Sequence, residues 1–221
     1  MSLLQLVHKT AMLRPDIGFS VHQLTTSMLF SARYTLVKQA IAEGYTHILF
    51  IDTDQSFPPS LMVKLLERDR SVVACNIATK AEPSQETAIR SREALPDGRI
   101  LVKGCDEKAG MEKVWRVGTG IMMIKTKVFN DIPKPWFPAT WDPVHEIFTG
   151  EDWGFCELCE KAGIPIWIDH DMSAKVGHWG PKEFTLDRYK EFQRDTTEII
   201  YQGAGSLAPQ PAVGAADCPV S

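Results

Sequence analysis

Residues 46–59 read THILFIDTDQSFPP and constrain the chain more than any other stretch. An apolar run at 48–51 leads directly into two carboxylates, Asp52 and Asp54. Short apolar runs without alternation are typical of strands covered on both faces. The stretch therefore predicts a buried strand that ends in two acidic residues.

The elements around this strand alternate in type. We predict strands at 17–24, 48–51 and 71–75, and helices at 2–13, 27–43 and 60–68. Gly44 provides a helix C-terminal signal, and two prolines at 58–59 suit the first turn of the following helix. This alternation predicts an α/β fold in which helices flank a mostly parallel sheet.

The second half of the chain is less regular. We expect a loop and a small antiparallel hairpin in 77–112, two strands and a helix start in 114–129, and an ordered loop at 133–148. Further on, we expect a helix at 151–162, a strand at 164–168 and an amphipathic helix at 183–201. Residues 1–201 would form one domain, and 202–221, rich in Ala, Gly and Pro, a disordered tail.

The overall composition excludes several classes of protein. With 28 acidic and 24 basic residues, the net charge of −4 argues against a protein held on nucleic acid by bulk charge. No apolar run approaches the roughly 20 residues of a membrane span. The five cysteines are irregularly spaced, which favours reduced thiols and a cytoplasmic location. We interpret Cys156 and Cys159 as two small apolar side chains on one face of a helix.

The two carboxylates suggest a ligand site. Ligands of open α/β sheets bind at the carboxyl ends of the strands. Because residues two apart in an extended segment point the same way, we expect Asp52 and Asp54 to face one site. A divalent cation would relieve their repulsion, and oxygen ligands suit Mg²⁺ or Mn²⁺. The alternative is that one aspartate caps the next helix and the other is solvated.

Four segments carry a family resemblance. SARYTLVKQAIAEGYTHILFIDTD resembles a part of the family 2-type glycosyltransferases with the GT-A fold, in which a helix starting Ala-Arg-Asn precedes a glycine and a strand ending in Asp-x-Asp. Ala32, Arg33 and Gly44 match this pattern, and Tyr34 replaces the asparagine. VGTGIMMIKTKVF, GEDWGFCELCEKAGIPIWID and KVGHWG resemble later segments of the family in the same order. The resemblance is nearest to short phage- and bacteria-type members.

On the donor side, the resemblance implies that Asp54 and His178 bind Mn²⁺ or Mg²⁺ and that Asp52 contacts the metal or the ribose. Arg33 and Lys80 would approach the nucleotide. Without the resemblance, His178 would be interpreted as a structural histidine and Arg33 as part of a salt bridge on the helix surface.

On the acceptor side, the resemblance implies that Asp152 is the general base. Glu151, Gly118 and Trp179 would bind or orient the acceptor. An acidic residue in a first helical turn is also favoured by the helix dipole alone. Four aromatic residues could stack on an acceptor sugar or pack in the protein: Trp136, Phe137, Trp141 and Trp179.

The implied function is metal-dependent transfer of a sugar, with inversion, from a nucleotide-diphosphate donor to a glycan or another hydroxyl acceptor. A UDP-sugar is the first expected donor. The alternatives are a catalytically inactive nucleotide- or glycan-binding module and a sugar nucleotidyltransferase. GT-A domains normally open with a strand that cradles the nucleobase, whereas this sequence opens with the helix that should follow it. We therefore expect that strand to lie upstream or to be absent.

Overall fold

A computed structural model describes residues 3–81, 84–96, 100–142, 146–180, 183–186 and 198–201. Its helices are α1 (Leu3–Leu13), α2 (Leu29–Ala42), α3 (Leu61–Glu67), α4 (Val128–Asp131), α5 (Glu151–Lys161) and α6 (His170–Ser173). Its strands are β1 (His47–Ile51), β2 (Gln55–Ser56), β3 (Val72–Ala74), β4 (Ser91–Ala94), β5 (Ile100–Lys103), β6 (Met111–Val114), β7 (Ile121–Lys125), β8 (Thr140–Asp142), β9 (Ile147–Thr149), β10 (Ile166–Asp169), β11 (Gly177–Trp179), β12 (Glu183–Thr185) and β13 (Glu198–Tyr201).

A mixed five-stranded sheet lies at the centre of the described structure, in the order β1-β7-β3-β10-β6. The predicted α/β class is confirmed, but the sheet is not mostly parallel. Only β3 and β10 pair in parallel, whereas β7 runs antiparallel to both β1 and β3, and β6 antiparallel to β10. A continuous apolar run indicates burial of both strand faces and carries no information about direction.

Successive residues of the central strands point into two different hydrophobic cores. In β3, Val72 packs with the first core and Val73 with the second, and the same alternation separates Met122 from Met123 in β7. This period of two is the expected geometry of an extended strand. Both faces of the sheet are therefore buried.

The helices cover these two faces. The first core includes Val37 of α2, Phe129 of α4 and Phe155 of α5, and the second includes Leu6 of α1 and Leu61 of α3. Cys156 and Cys159 are both buried in the first core, as expected for apolar packing. In the described part of the chain, every helix is too short or too polar to cross a membrane.

Three small antiparallel groups surround the main sheet. β11 lies between β2 and β12, and β5 lies between β4 and β13. The β4–β5 hairpin agrees with the hairpin predicted in 77–112. β8 and β9 pair within the predicted loop 133–148, so part of that loop is a hairpin. The β11–β2 pairing brings the late segment 177–178 to the end of β1.

Two predicted elements are wrong. Residues 17–24 form no strand, and Val21 and Leu24 are exposed, because alternation alone cannot supply a pairing partner. At the ends of the helix predicted at 183–201 the structure has β12 and β13 instead. The middle of that segment and the predicted tail 202–221 lie outside the described residues.

Candidate functional site

The candidate site lies at the end of β1. β1, β3 and β10 run in the same direction, so their carboxyl ends share one edge of the sheet. The Asp52 N–H donates to the Gly120 carbonyl at 2.8 Å, and the Gln55 N–H donates to the Asp52 carbonyl at 3.1 Å. The chain therefore turns between Asp52 and Gln55, and the two-residue alternation assumed from the sequence does not apply. Asp52 and Asp54 accordingly have different partners.

Asp52 belongs to a cluster organised by the buried Arg33 of α2. The Arg33 side chain is only 6% exposed, its Nη2 lies 3.1 Å from Asp52 Oδ1, and its Nη1 pairs with Glu151. The expected salt bridge on the helix surface is therefore wrong, because the guanidinium joins β1 to the first turn of α5 inside the protein. Arg33 thereby holds both carboxylates in place, and its contact with a nucleotide stays a prediction.

Asp54 faces a second set of side chains. Its Oδ2 pairs with the Lys80 ammonium and lies 3.4 Å from His178 Nε2. Partial burial favours the neutral acid, but the hydrogen bond from Lys80 and the charges of His178 and Lys80 hold the pKa of Asp54 below its usual value. Lys80, which was predicted to contact the nucleotide, forms an ion pair with Asp54 and stabilises the ionised form of this carboxylate.

The orientation of His178 leaves one ring nitrogen facing Asp54. Its Nδ1 lies 3.0 Å from the Ala78 carbonyl oxygen, which can only accept a hydrogen bond. In the neutral imidazole, the proton is then on Nδ1 and the lone pair is on Nε2. A carbonyl partner on the second nitrogen is the arrangement that orients metal-ligating histidines. Asp54 and His178 thus present one oxygen and one nitrogen to the same point.

Asp152 lies in the first turn of α5, next to Glu151. Its Oδ1 accepts a hydrogen bond from the Trp153 N–H at 2.8 Å. Burial raises the pKa of Asp152, and the neighbouring Glu151 carboxylate adds to the effect, whereas the Trp153 N–H and Arg33 oppose it. A half-buried aspartate with a raised pKa has the property that a general base needs, provided that an acceptor hydroxyl reaches it.

Two glycines border the Asp152 carboxylate, and an added Cβ would collide with it only at Gly150. A Cβ on Gly118 would lie 3.6 Å from Asp152 Oδ2 and 3.4 Å from Thr87, and a Cβ on Gly150 would lie 2.7 Å from Asp152 Oδ1. Gly118, predicted on the acceptor side, is thus a neighbour of the predicted base. Gly150 was not predicted, although its position immediately before the Glu-Asp pair is a signal in the sequence.

The aromatic candidates separate into two groups. Trp136 and Phe137 are buried in the first core, so stacking on a sugar is excluded for both. Trp141 and Trp179 remain half exposed. The Trp179 backbone N–H donates to the Asp54 carbonyl at 2.7 Å, which places the Trp179 backbone beside the carboxylate site.

Sequence reasoning missed two further contributors. The buried Gln55 directs its Nε2 toward Asp54 Oδ1 at 3.4 Å, and its Oε1 has no hydrogen-bond partner among the described residues. The Ala78 carbonyl orients His178, and a backbone carbonyl carries no sequence signal. Gln55 directly follows the Asp-x-Asp pair, and this proximity was its only available signal.

The comparisons with known proteins bear on the fold. No family model matches the sequence. No curated protein matches it either. Among solved structures, the chain is similar to A197 from STIV, with a TM-score of 0.54 and 16% identity over 84% of this chain and 84% of that chain. A likeness at this identity concerns the fold alone, so the chemistry of the site is argued from its residues.

Proposed function

We propose that the chain is a metal-dependent glycosyltransferase of the GT-A type, which transfers a sugar from a nucleotide-diphosphate donor to an acceptor hydroxyl. The observation that carries this proposal is the Asp54–His178 pair at the carboxyl end of β1, in which His178 Nδ1 contacts the Ala78 carbonyl and Nε2 faces Asp54. The family resemblance in the same segments supports it. A UDP-sugar donor and a cytoplasmic location belong to the same proposal.

The residues present fit a divalent cation. Asp54 supplies an ionised oxygen and His178 a ring nitrogen, and a metal bound to Asp54 Oδ2 would displace the Lys80 ammonium that pairs with this oxygen. Mn²⁺ accepts both oxygen and imidazole ligands, and Mg²⁺ prefers the oxygens. Such a cation acts as a Lewis acid toward the diphosphate. Asp52 is held by Arg33, so we assign it to the support of the site or to the ribose.

Asp152 is the proposed base. A hydroxyl near its Oδ2 would face the space left by Gly118, and removal of the hydroxyl proton by the carboxylate would prepare the oxygen for attack. Glu151 keeps α5 in place through Arg33. Attack from the face opposite the departing nucleotide would give inversion. Trp179 is the exposed aromatic available to an acceptor glycan.

Thermal unfolding with nucleoside diphosphates tests the donor site. We would measure Tm with UDP, GDP, ADP and CDP, each with and without Mn²⁺, for the wild type, Asp54→Ala and Asp16→Ala. Asp16 is an exposed carboxylate paired with Arg14 and serves as the matched control. A ligand at about 100 times its dissociation constant adds roughly 2.7 kcal/mol, or roughly 5–10 °C in this size range.

The expected result is a shift that needs both Mn²⁺ and one nucleotide, is lost in Asp54→Ala and persists in Asp16→Ala. Such a result would also identify the nucleobase. If Asp54→Ala retained the full Mn²⁺-dependent shift, Asp54 would not be a metal ligand and the proposal would fail.

A further inference from the structure

A second group of metal-binding side chains lies at the same edge of the sheet. Cys105 follows β5, Glu112 belongs to β6, and His170 directly follows β10 as the first residue of α6. Their sulfur, oxygen and nitrogen atoms all lie within 4.8 Å of one another. The three residues are 5%, 7% and 6% exposed, respectively. None of them belongs to the proposed donor site.

The donors are already held in place by outer hydrogen bonds. Glu112 accepts from the Asp106 and Glu107 backbone N–H groups at 3.3 and 3.2 Å. The Asn76 amide lies 4.0 Å from Cys105 Sγ. Within the group itself, His170 Nε2 lies 2.8 Å from Glu112 Oε2, a contact between two proposed ligands that the metal would replace. Hydrogen-bonded outer groups of this kind orient metal ligands and are needed for tight binding.

The charges of an ionised Cys105 and Glu112 would favour a divalent cation between them. A thiolate and a carboxylate together carry two negative charges, which one Zn²⁺ neutralises while a neutral imidazole completes the set. Sulfur, nitrogen and oxygen are the ligands that zinc binds in proteins.

We propose that Cys105, Glu112 and His170 form a zinc site that fastens the 104–110 segment to the end of the central sheet. Zinc–ligand distances of about 2.0–2.3 Å place tetrahedral ligand atoms about 3.3–3.8 Å apart, so adjustments of about 1 Å complete the geometry. On binding, the Cys105 thiol proton leaves to solvent, and the proton that His170 Nε2 donates to Glu112 moves to Nδ1, which frees Nε2 for the metal. The half-buried Glu86 accepts a hydrogen bond at 2.8 Å from the Asn76 amide, which also lies next to Cys105.

This site is separate from the Asp54–His178 pair. Three strand spacings separate β1 from β10 in the sheet order, which corresponds to about 14 Å along the edge. The ligand types differ as well, since a thiolate favours zinc over Mg²⁺ or Mn²⁺. The two sites can therefore be tested independently.

Cobalt substitution tests the proposal. The reduced full chain is stripped with a chelator and titrated with Co²⁺ in an Asp54→Ala background, which removes the other proposed site. We expect a near-ultraviolet thiolate-to-cobalt charge-transfer band that saturates at one equivalent and is abolished by Zn²⁺. Cys105→Ser should lose the band and Glu112→Gln should weaken Co²⁺ binding at least tenfold.

Cys156→Ser and Cys218→Ser are the matched controls and should keep the band. Cys156 is a buried thiol that donates to the Val117 carbonyl and belongs to the same core as Cys105, but it is not among the three clustered ligand residues. Absence of a stoichiometric thiolate band in the parent protein would overturn the proposal, even if Cys105→Ser failed to fold. Retention of the band in folded Cys105→Ser would overturn it too.

Discussion

Arg33 shows how a single side chain sets the geometry of the candidate site. The match to the family pattern drew attention to it, but its partners, Asp52 and Glu151, lie 19 and 118 positions away in sequence. The sequence pattern marked Arg33 as a candidate, but it carried no information about the contacts of Arg33 with Asp52 and Glu151. The buried guanidinium fixes the end of β1 relative to α5, so its removal tests the support of the site.

Arg33→Met should destabilise the fold. The substitution retains an apolar side chain but leaves Asp52 and Glu151 without their counter-charge. Breaking a buried ion pair costs about 3–5 kcal/mol, and since Asp52 is 40% exposed we expect the lower end, about 3 kcal/mol. Urea unfolding would measure the change. Arg14→Met, which breaks an exposed pair with Asp16, is the control and should have no measurable effect.

Asp152→Asn should separate catalysis from stability. Loss of a general base lowers turnover about 10²–10⁴-fold, and donor binding should be retained because Asp152 has no contact with Asp54 or Lys80 among the described interactions. Metal-dependent transfer and nucleotide binding would be measured on the same preparation. Unchanged turnover would exclude Asp152 as the base.

The same residue predicts a pH effect of defined sign. The folded-state pKa of Asp152 lies above its unfolded value, so the folded state binds the proton more tightly. Ionisation of Asp152 therefore lowers the free energy of unfolding as the pH rises from the unfolded pKa through the raised folded pKa. Asp152→Asn should remove this penalty and unfold at a higher Tm than the wild type at pH 7. The difference between the two proteins should disappear in acid, below the unfolded pKa.

At the scale of the elements, helix α5 packs closely at Gly154 against the backbone of Pro138. A Cβ on Gly154 would overlap the Pro138 carbonyl oxygen. We expect Gly154→Ala to lose about 1–3 kcal/mol from overpacking, against a gain of about 1 kcal/mol in helix propensity. Thermal unfolding would measure the net loss. Gly18→Ala, where no atom lies within 4 Å of the added Cβ, is the control, and equal Tm values would contradict this packing.

Element type was easier to predict than element pairing. α1, α2, α3 and α5 and strands β1, β3 and β10 lie where the apolar periodicity places them. The direction of β7 was not predictable, because the sequence shows that 121–125 is buried and says nothing about which neighbour it joins. The stretch 17–24 failed for the related reason that a strand requires a partner, which a local pattern cannot supply.

At the scale of the whole molecule, the sequence predicted the place of Asp54 in the fold better than the contacts of Asp54. The position of Asp54 at the end of a buried strand followed from local order along the chain. Its contact with His178, 124 positions away, follows from the β2–β11 pairing, which no local pattern indicates. Asp52 and Asp54 belong to different clusters because the chain turns between Asp52 and Gln55. The sequence-based prediction assumed an extended segment there, in which both side chains would point the same way.

The division of each central strand between two cores limits how the length of this chain can change. Loss or gain of one residue within β3 or β7 would exchange the side chains of the two cores, so that Val72 and Val73 would trade environments along with every neighbour in register. Insertions and deletions should therefore be confined to the segments outside the sheet, such as those around β4–β5 and β8–β9. Natural variation in chain length would then act on these hairpins and leave the two cores intact.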